Sequence, residues 1–106
     1  MLIAWTTVAK REQADTLATH LITAHLAACV QIEGPLRSVY RWEGKVETSE
    51  EYRLTIKFVE SRAAALEAYI SAHHPYENPE WIVVRAEHVA EKYLSWAVAV
   101  STSSTL

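Results

Sequence analysis

Eight consecutive residues, His73-His74-Pro75-Tyr76-Glu77-Asn78-Pro79-Glu80, carry the densest chemistry in this chain, with two imidazoles at one end, carboxylates at the other and a phenol between them. Neutral imidazole nitrogens are good ligands for copper and zinc, so His73 and His74 are the candidate metal ligands. Two prolines four apart cannot continue a helix, and each pushes the residue before it into an extended conformation. The segment is therefore expected to be a stiff loop, the kind of element on which binding residues concentrate. Neighbouring side chains on one backbone point in different directions. A single ion would thus use one histidine of the pair, or draw on another chain. The plainer alternative is that His73 completes the apolar face of the preceding helix while His74 hydrogen-bonds within the loop.

A second group, Tyr40, Trp42, Lys57, Tyr76 and Glu80, combines aromatic surface, a cation and a carboxylate, the mixture found in small-molecule clefts. The competing reading is packing by Tyr40 and Trp42, with Lys57 and Glu80 as an ion pair. Acid–base chemistry has fewer supports. Thr6, Thr7 and Ser38 supply hydroxyls, and His74 with Glu77 or Glu80 is a conceivable pair, but no nucleophile motif accompanies them. Glu47, Glu50 and Glu51 read more simply as a solvated strand end than as a cation site. The chain is expected not to be an enzyme.

Only two glycines, Gly34 and Gly44, are present, so glycine-rich phosphate cradles, dinucleotide fingerprints and a Gly-x-Ser-x-Gly elbow are excluded. With 106 residues, half of them hydrophobic and a net charge of -3, the chain is expected to form one domain over residues 1–106. The Ser/Thr-rich end, 101–106, is expected to fray. Basic residues are interspersed with acidic ones, which argues against a nucleic-acid surface. No apolar run reaches the ~18 residues of a membrane span. The single cysteine, Cys29, rules out an internal disulfide and fits a reducing compartment, so a cytoplasmic location is expected, without a signal peptide.

The elements that position these residues follow from periodicity. Residues 2–8 form a short apolar run expected to be a central strand. Ala14, Leu17, Ala18, Leu21, Ala24 and Ala28 recur at helical spacing and predict a helix over 11–28. Residues 29–42 read as a long strand broken at Gly34-Pro35 by a bulge or bend. Glu43-Gly44-Lys45 makes a tight hairpin, and 46–59 returns with Tyr52, Leu54, Ile56 and Phe58 alternating against polar neighbours. Ser61 is the expected cap of a second helix through Leu66, Tyr69, Ile70 and His73. A fourth strand over 81–86 and a third helix from Glu91 to about Val100 complete the order βαββαβα. The economical fold is an α+β, ferredoxin-like split βαβ sandwich: a four-stranded antiparallel sheet with helices on one face, a long central hairpin and an extra C-terminal helix. Strands of fourteen residues span roughly 45 Å, more than one small domain covers. Their exposed aromatics predict a closed homo-oligomer.

Four blocks carry a family resemblance: Leu26-Ala27-Ala28-Cys29-Val30, Ser38-Val39-Tyr40-Arg41-Trp42-Glu43-Gly44-Lys45-Val46-Glu47, His74-Pro75-Tyr76-Glu77-Asn78-Pro79-Glu80 and Tyr93-Leu94-Ser95-Trp96. Together and in this order they resemble the CutA family of divalent-cation tolerance proteins. The resemblance implies a ferredoxin-like domain assembled as a homotrimer and an involvement in tolerance of copper and other divalent metal ions, with no settled biochemical activity and no required cofactor. Protein partners stay open. In some relatives a strand-one cysteine joins the histidine pair as a copper ligand, and the matching position here is Trp5, which cannot ligate. Cys29, the one thiol of the chain, is expected to be a small buried side chain. Two functions stand in order: first a metal-response protein binding copper through the His-Pro loop, and second, on fold analogy alone, a trimeric signalling or scaffold module with a ligand or partner in its intersubunit clefts.

Overall fold

The computed structural model describes residues 1–102; the remaining part of the expected frayed tail, 103–106, lies outside the described residues. The elements run β1 (Leu2–Val8), α1 (Arg11–Thr23), β2 (Cys29–Trp42), β3 (Lys45–Phe58), α2 (Ala63–His73), β4 (Ile82–Arg85) and α3 (Glu91–Val100), with a short 3-10 turn, Glu60–Arg62, ahead of α2. One sheet has the order β2-β3-β1-β4, and all its pairings are antiparallel. The expected α+β sandwich is the observed fold. No helix among the described residues is long and apolar enough to cross a membrane.

The alternation read from β3 sorts the two faces of this sheet. Leu54, Ile56 and Phe58 lie opposite Thr6, Ala4 and Leu2 of β1 and are buried with Leu17 and Leu21 of α1 and Leu66 and Ile70 of α2. Burying each large aliphatic or aromatic side chain here contributes about 1.5–3 kcal/mol. The third helix does not join that layer. Its Ala97 packs with Ala28 and Val59 in a separate cluster, and Tyr93 lies under the Lys57 ammonium, 5.7 Å from the ring centre.

Strands β3 and β4 are each within one residue of the expected bounds at either end, and the larger differences lie at the helix ends. Helix α1 stops at Thr23, because His25 takes a left-handed φ of 59° and the Arg62 guanidinium donates to the carbonyls of His25 and Ala24. Leu26, Ala27 and Ala28 are buried in the connection that follows, which is why the apolar spacing runs past the helix end. Ser61 does not cap α2; it sits inside the 3-10 turn, and α2 begins without a side-chain cap. Ser101 and Thr102 follow α3 directly, and their hydroxyls donate to the carbonyls of Ala97 and Val98.

The long hairpin is present as expected. Its inner half, Tyr52–Phe58 on β3, pairs with β1. Its outer half, where Leu36 to Trp42 faces Glu51 to Lys45, pairs only with itself. At ~3.3 Å per residue this two-stranded arm reaches roughly 20 Å beyond the body. The register shifts between Glu33 and Leu36, at the expected bulge. There Gly34 lies against Tyr52 so closely that a Cβ would overlap the ring, while Arg11 covers the ring at 4.9 Å and donates to the Gly34 carbonyl. At the tip, Glu43 and Gly44 both take positive φ, 49° and 77°, the requirement of a two-residue hairpin turn that matches strand twist.

Candidate functional site

Helix α2 delivers the histidine pair and stops there: His74 is extended, as a residue before proline prefers. Its ring is then held at both nitrogens. The Tyr76 backbone N–H donates to Nδ1 at 3.0 Å, and Nε2 lies 2.9 Å from Oγ1 of Thr6. A backbone N–H can only donate, so Nδ1 is the bare nitrogen and the proton sits on Nε2, donated to Thr6. Burial pushes the His74 pKa below its ordinary 6.5, against the opposing pull of the Thr7 backbone and the Glu51 carboxylate. With one lone pair taken and the other nitrogen protonated, His74 has nothing to offer an ion in this arrangement. The same tautomer makes Thr6 an acceptor rather than an activated nucleophile.

The network continues outward. The Tyr76 hydroxyl donates to Glu51 at 2.9 Å, tying the loop to the root of the arm. Burial raises the phenol pKa, with the Glu51 hydrogen bond and charge adding to it and Tyr40 a smaller contributor. The expectation that His74 bonds within its loop holds, and the partners Thr6 and Glu51 add to it. Neither was legible in the sequence, because they come from strands whose register alone places them there.

His73 is different. It does not complete the buried face of α2; it is exposed, stacked on Tyr69 with centroids 4.1 Å apart and planes at 18°. Nδ1 donates to the Tyr69 carbonyl at 3.0 Å, and because a carbonyl only accepts, the lone pair lies on Nε2 and is open. The opposite face of Tyr69 is covered by His20 at 4.2 Å, giving an imidazole–phenol–imidazole sandwich across α1 and α2. No motif announces it; i to i+4 spacing of Tyr69 and His73 was its only trace in the sequence. Among the described residues, no three His, Cys, Asp or Glu side chains gather to hold a metal ion. Of the histidine pair, only His73 leaves a ring nitrogen open, which is not a complete coordination shell.

The other candidates are dispersed within the chain. Tyr40 and Trp42 stand exposed on the arm, Tyr76 is in the hydrogen-bonded loop, and Glu80 is exposed farther along it. Lys57 is at the far end of β3 beneath α3. Among the described residues, Lys57 and Glu80 form no ion pair; the recorded pairs are Arg53–Glu33 and Arg85–Glu60. Cys29 is half-buried rather than fully so, opposite Lys57 in the ladder and so on the sheet face away from α1 and α2. Glu47 and Glu50 lie along the arm opposite Tyr40 and Arg37.

Residues 2–100 match the family model described as CutA1 divalent ion tolerance protein. The chain belongs to this family. Among curated relatives, it is 38% identical over 95 residues to the chloroplastic Protein CutA of Arabidopsis thaliana, covering 90% of this chain and 52% of the relative. It is 36% identical over 95 residues to the divalent-cation tolerance protein CutA of Yersinia pestis (strain Pestoides F), covering 90% and 80%. The chain thus spans about half the length of the Arabidopsis protein. Among solved structures, CutA1 from Pyrococcus horikoshii superimposes with a TM-score of 0.91 at 30% identity, covering 97% of this chain and 100% of that one. The periplasmic divalent cation tolerance protein CutA from Archaeoglobus fulgidus does so with 0.90 at 28%, covering 96% and 100%.

The CutA match takes in every element that builds the loop network, from Thr6 to Tyr76. Trp5, at the strand-one position discussed above, is opposite Thr55 and Ile82. It therefore points to the other sheet face from Thr6, away from His74 in the same chain.

Proposed function

We propose that this chain works as a non-enzymatic homotrimer in divalent-cation tolerance, taking copper at the His-Pro loop through Nε2 of His73. The observation that supports it is the unequal use of the two imidazoles: His74 is consumed in holding the loop, while His73 keeps an open lone pair at the surface. Imidazole suits Cu(II), and the thiolate that would select Cu(I) is missing at Trp5. Since the loop offers a single such nitrogen and no three ligating side chains gather among the described residues, the remaining ligands are water or groups of another subunit. Assembly is supported by the free outer edge of β2 along the arm and of β4, with Val39 62% and Ile82 51% exposed. A reducing, cytoplasmic location rests on the single cysteine alone; one relative is named chloroplastic and another periplasmic, so the family does not fix the compartment.

Calorimetric titration with Cu(II), and with Cu(I) under anaerobic conditions, tests the metal reading. Binding is expected at a simple ratio per chain, lost in His73→Ala and retained within a few-fold in His74→Ala, whose main effect is a lower Tm. Binding that persists in His73→Ala and vanishes in His74→Ala would overturn the assignment. Sedimentation equilibrium at micromolar concentration is expected to give three chains, and a single-chain mass sinks the trimer. The second reading, a ligand or protein partner in intersubunit clefts, is favoured by the exposed Tyr40 and Trp42 on the arm, whose root is tied to the loop by the Tyr76–Glu51 contact.

A further inference from the structure

Between α1 and α2, on the side away from the sheet, runs an open groove of about 400 Å³, within the size range of small-ligand sites. Leu17, Tyr69 and Pro75 make its apolar wall, and Glu12, Thr16 and His73 line it with polar groups. Tyr69 is a fixed wall, since imidazoles cover both faces of its ring. Two of the polar groups offer acceptors and no counter-charge. Glu12 takes part in neither of the ion pairs recorded among the described residues and stands in the first turn of α1. His73 donates its Nδ1 proton to the Tyr69 carbonyl, which leaves Nε2 as an acceptor. Gln13, also at the groove, has its oxygen engaged by the Lys10 N–H.

A carboxylate, an imidazole lone pair and a hydroxyl around an apolar wall complement a donor-rich cation with a short hydrophobic body. We propose that this groove binds small primary ammonium compounds, the ammonium between Glu12 and His73 and the apolar body against Leu17, Pro75 and the edge of the Tyr69 ring. An anion of the same shape meets like charge at Glu12, and a neutral alcohol forfeits the charge-assisted hydrogen bond. The site shares His73 with the copper reading but does not depend on it.

An NMR titration of the amide spectrum with benzylammonium, benzyl alcohol and benzoate tests the proposal. Saturable shifts centred on Thr16, Tyr69 and His73 are expected with benzylammonium, with the alcohol and benzoate at least roughly tenfold weaker. Glu12→Gln should weaken the ammonium by about tenfold and leave the alcohol unchanged. Thr16→Val, an exposed change on the same wall, provides a second folded variant with a smaller loss. Equal binding of the three probes, no saturation, or an ammonium response unaltered by Glu12→Gln overturns it. Copper titration of the same Glu12→Gln sample separates the two sites: its heat should be unchanged, so failure of the groove leaves the metal reading standing, and the converse holds too.

Discussion

From Tyr52 to Phe58, β3 has a strand on each side, β1 and β2, and every second side chain from Leu54 onward is buried under two helices. From Lys45 to Glu51 the same strand has only β2 beside it, and Val46 on it, like Val39 and Trp42 across from it, is exposed. The inner half is specified by its own domain, because alternation decides which face is buried and register follows. The outer half carries comparable β-forming residues with nothing in the chain to bury them, and an isolated two-stranded ribbon is marginal in water. Similar residues thus serve packing in one half and await a surface in the other.

The largest effect should come from the inner half. Ile56→Ala empties a fully buried site and is expected to cost about 2–5 kcal/mol in denaturant unfolding. Val46→Ser on the arm should cost no more than about 0.5 kcal/mol if the chain acts alone. If the arm is covered by another subunit, it should instead shift the sedimentation profile toward smaller species. A loss at Val46 equal to that at Ile56 with no change in assembly would break the comparison. Next is the joint between the halves. Gly34→Ala forces a Cβ into the Tyr52 ring, and about 1–3 kcal/mol of destabilisation is expected from such overpacking. An unchanged Tm would mean that the Tyr52 ring and Arg11 above it move aside without cost.

The smallest effect belongs to the loop that ties the halves together. Because His74 resists protonation when folded, the unfolded chain binds the extra proton as pH drops below 6.5, and stability falls from there toward the folded pKa before levelling. The sign is positive: stability rises with pH across that window. His74→Gln should flatten this part of the profile, measured as Tm between pH 5 and 7.5; a slope unaltered in the variant assigns it to another histidine.

What the sequence made legible follows the same division. Alternation along β3, helical spacing in α1 and the turn chemistry of Glu43-Gly44 placed the strands and the arm, since those are local rules with a burial partner close by. Reading α1 as far as Ala28 failed because the stop is made at a distance, by Arg62 reaching the Ala24 and His25 carbonyls. The His-Pro loop was legible as a site, but the division of labour between His73 and His74 was not. It depends on Thr6 and on the Tyr69 carbonyl, one from another strand and one from the backbone, which no residue type announces.

The register of β1 with β4 sets an order of events. Leu2 lies opposite Arg85 and Trp5 opposite Ile82, the widest sequence separation in the sheet, whereas the arm closes over neighbours at Trp42 and Lys45. Local closure is quick and distant closure slow, because a longer loop surrenders more entropy before its contacts form. The arm is therefore free to zip first and the body to seal last, when Ile82–Arg85 arrives at the side of β1. Until that moment one flank of the first strand is bare, and the exposed ribbon is already in place. A nascent chain of this design spends its riskiest interval with two sticky edges showing.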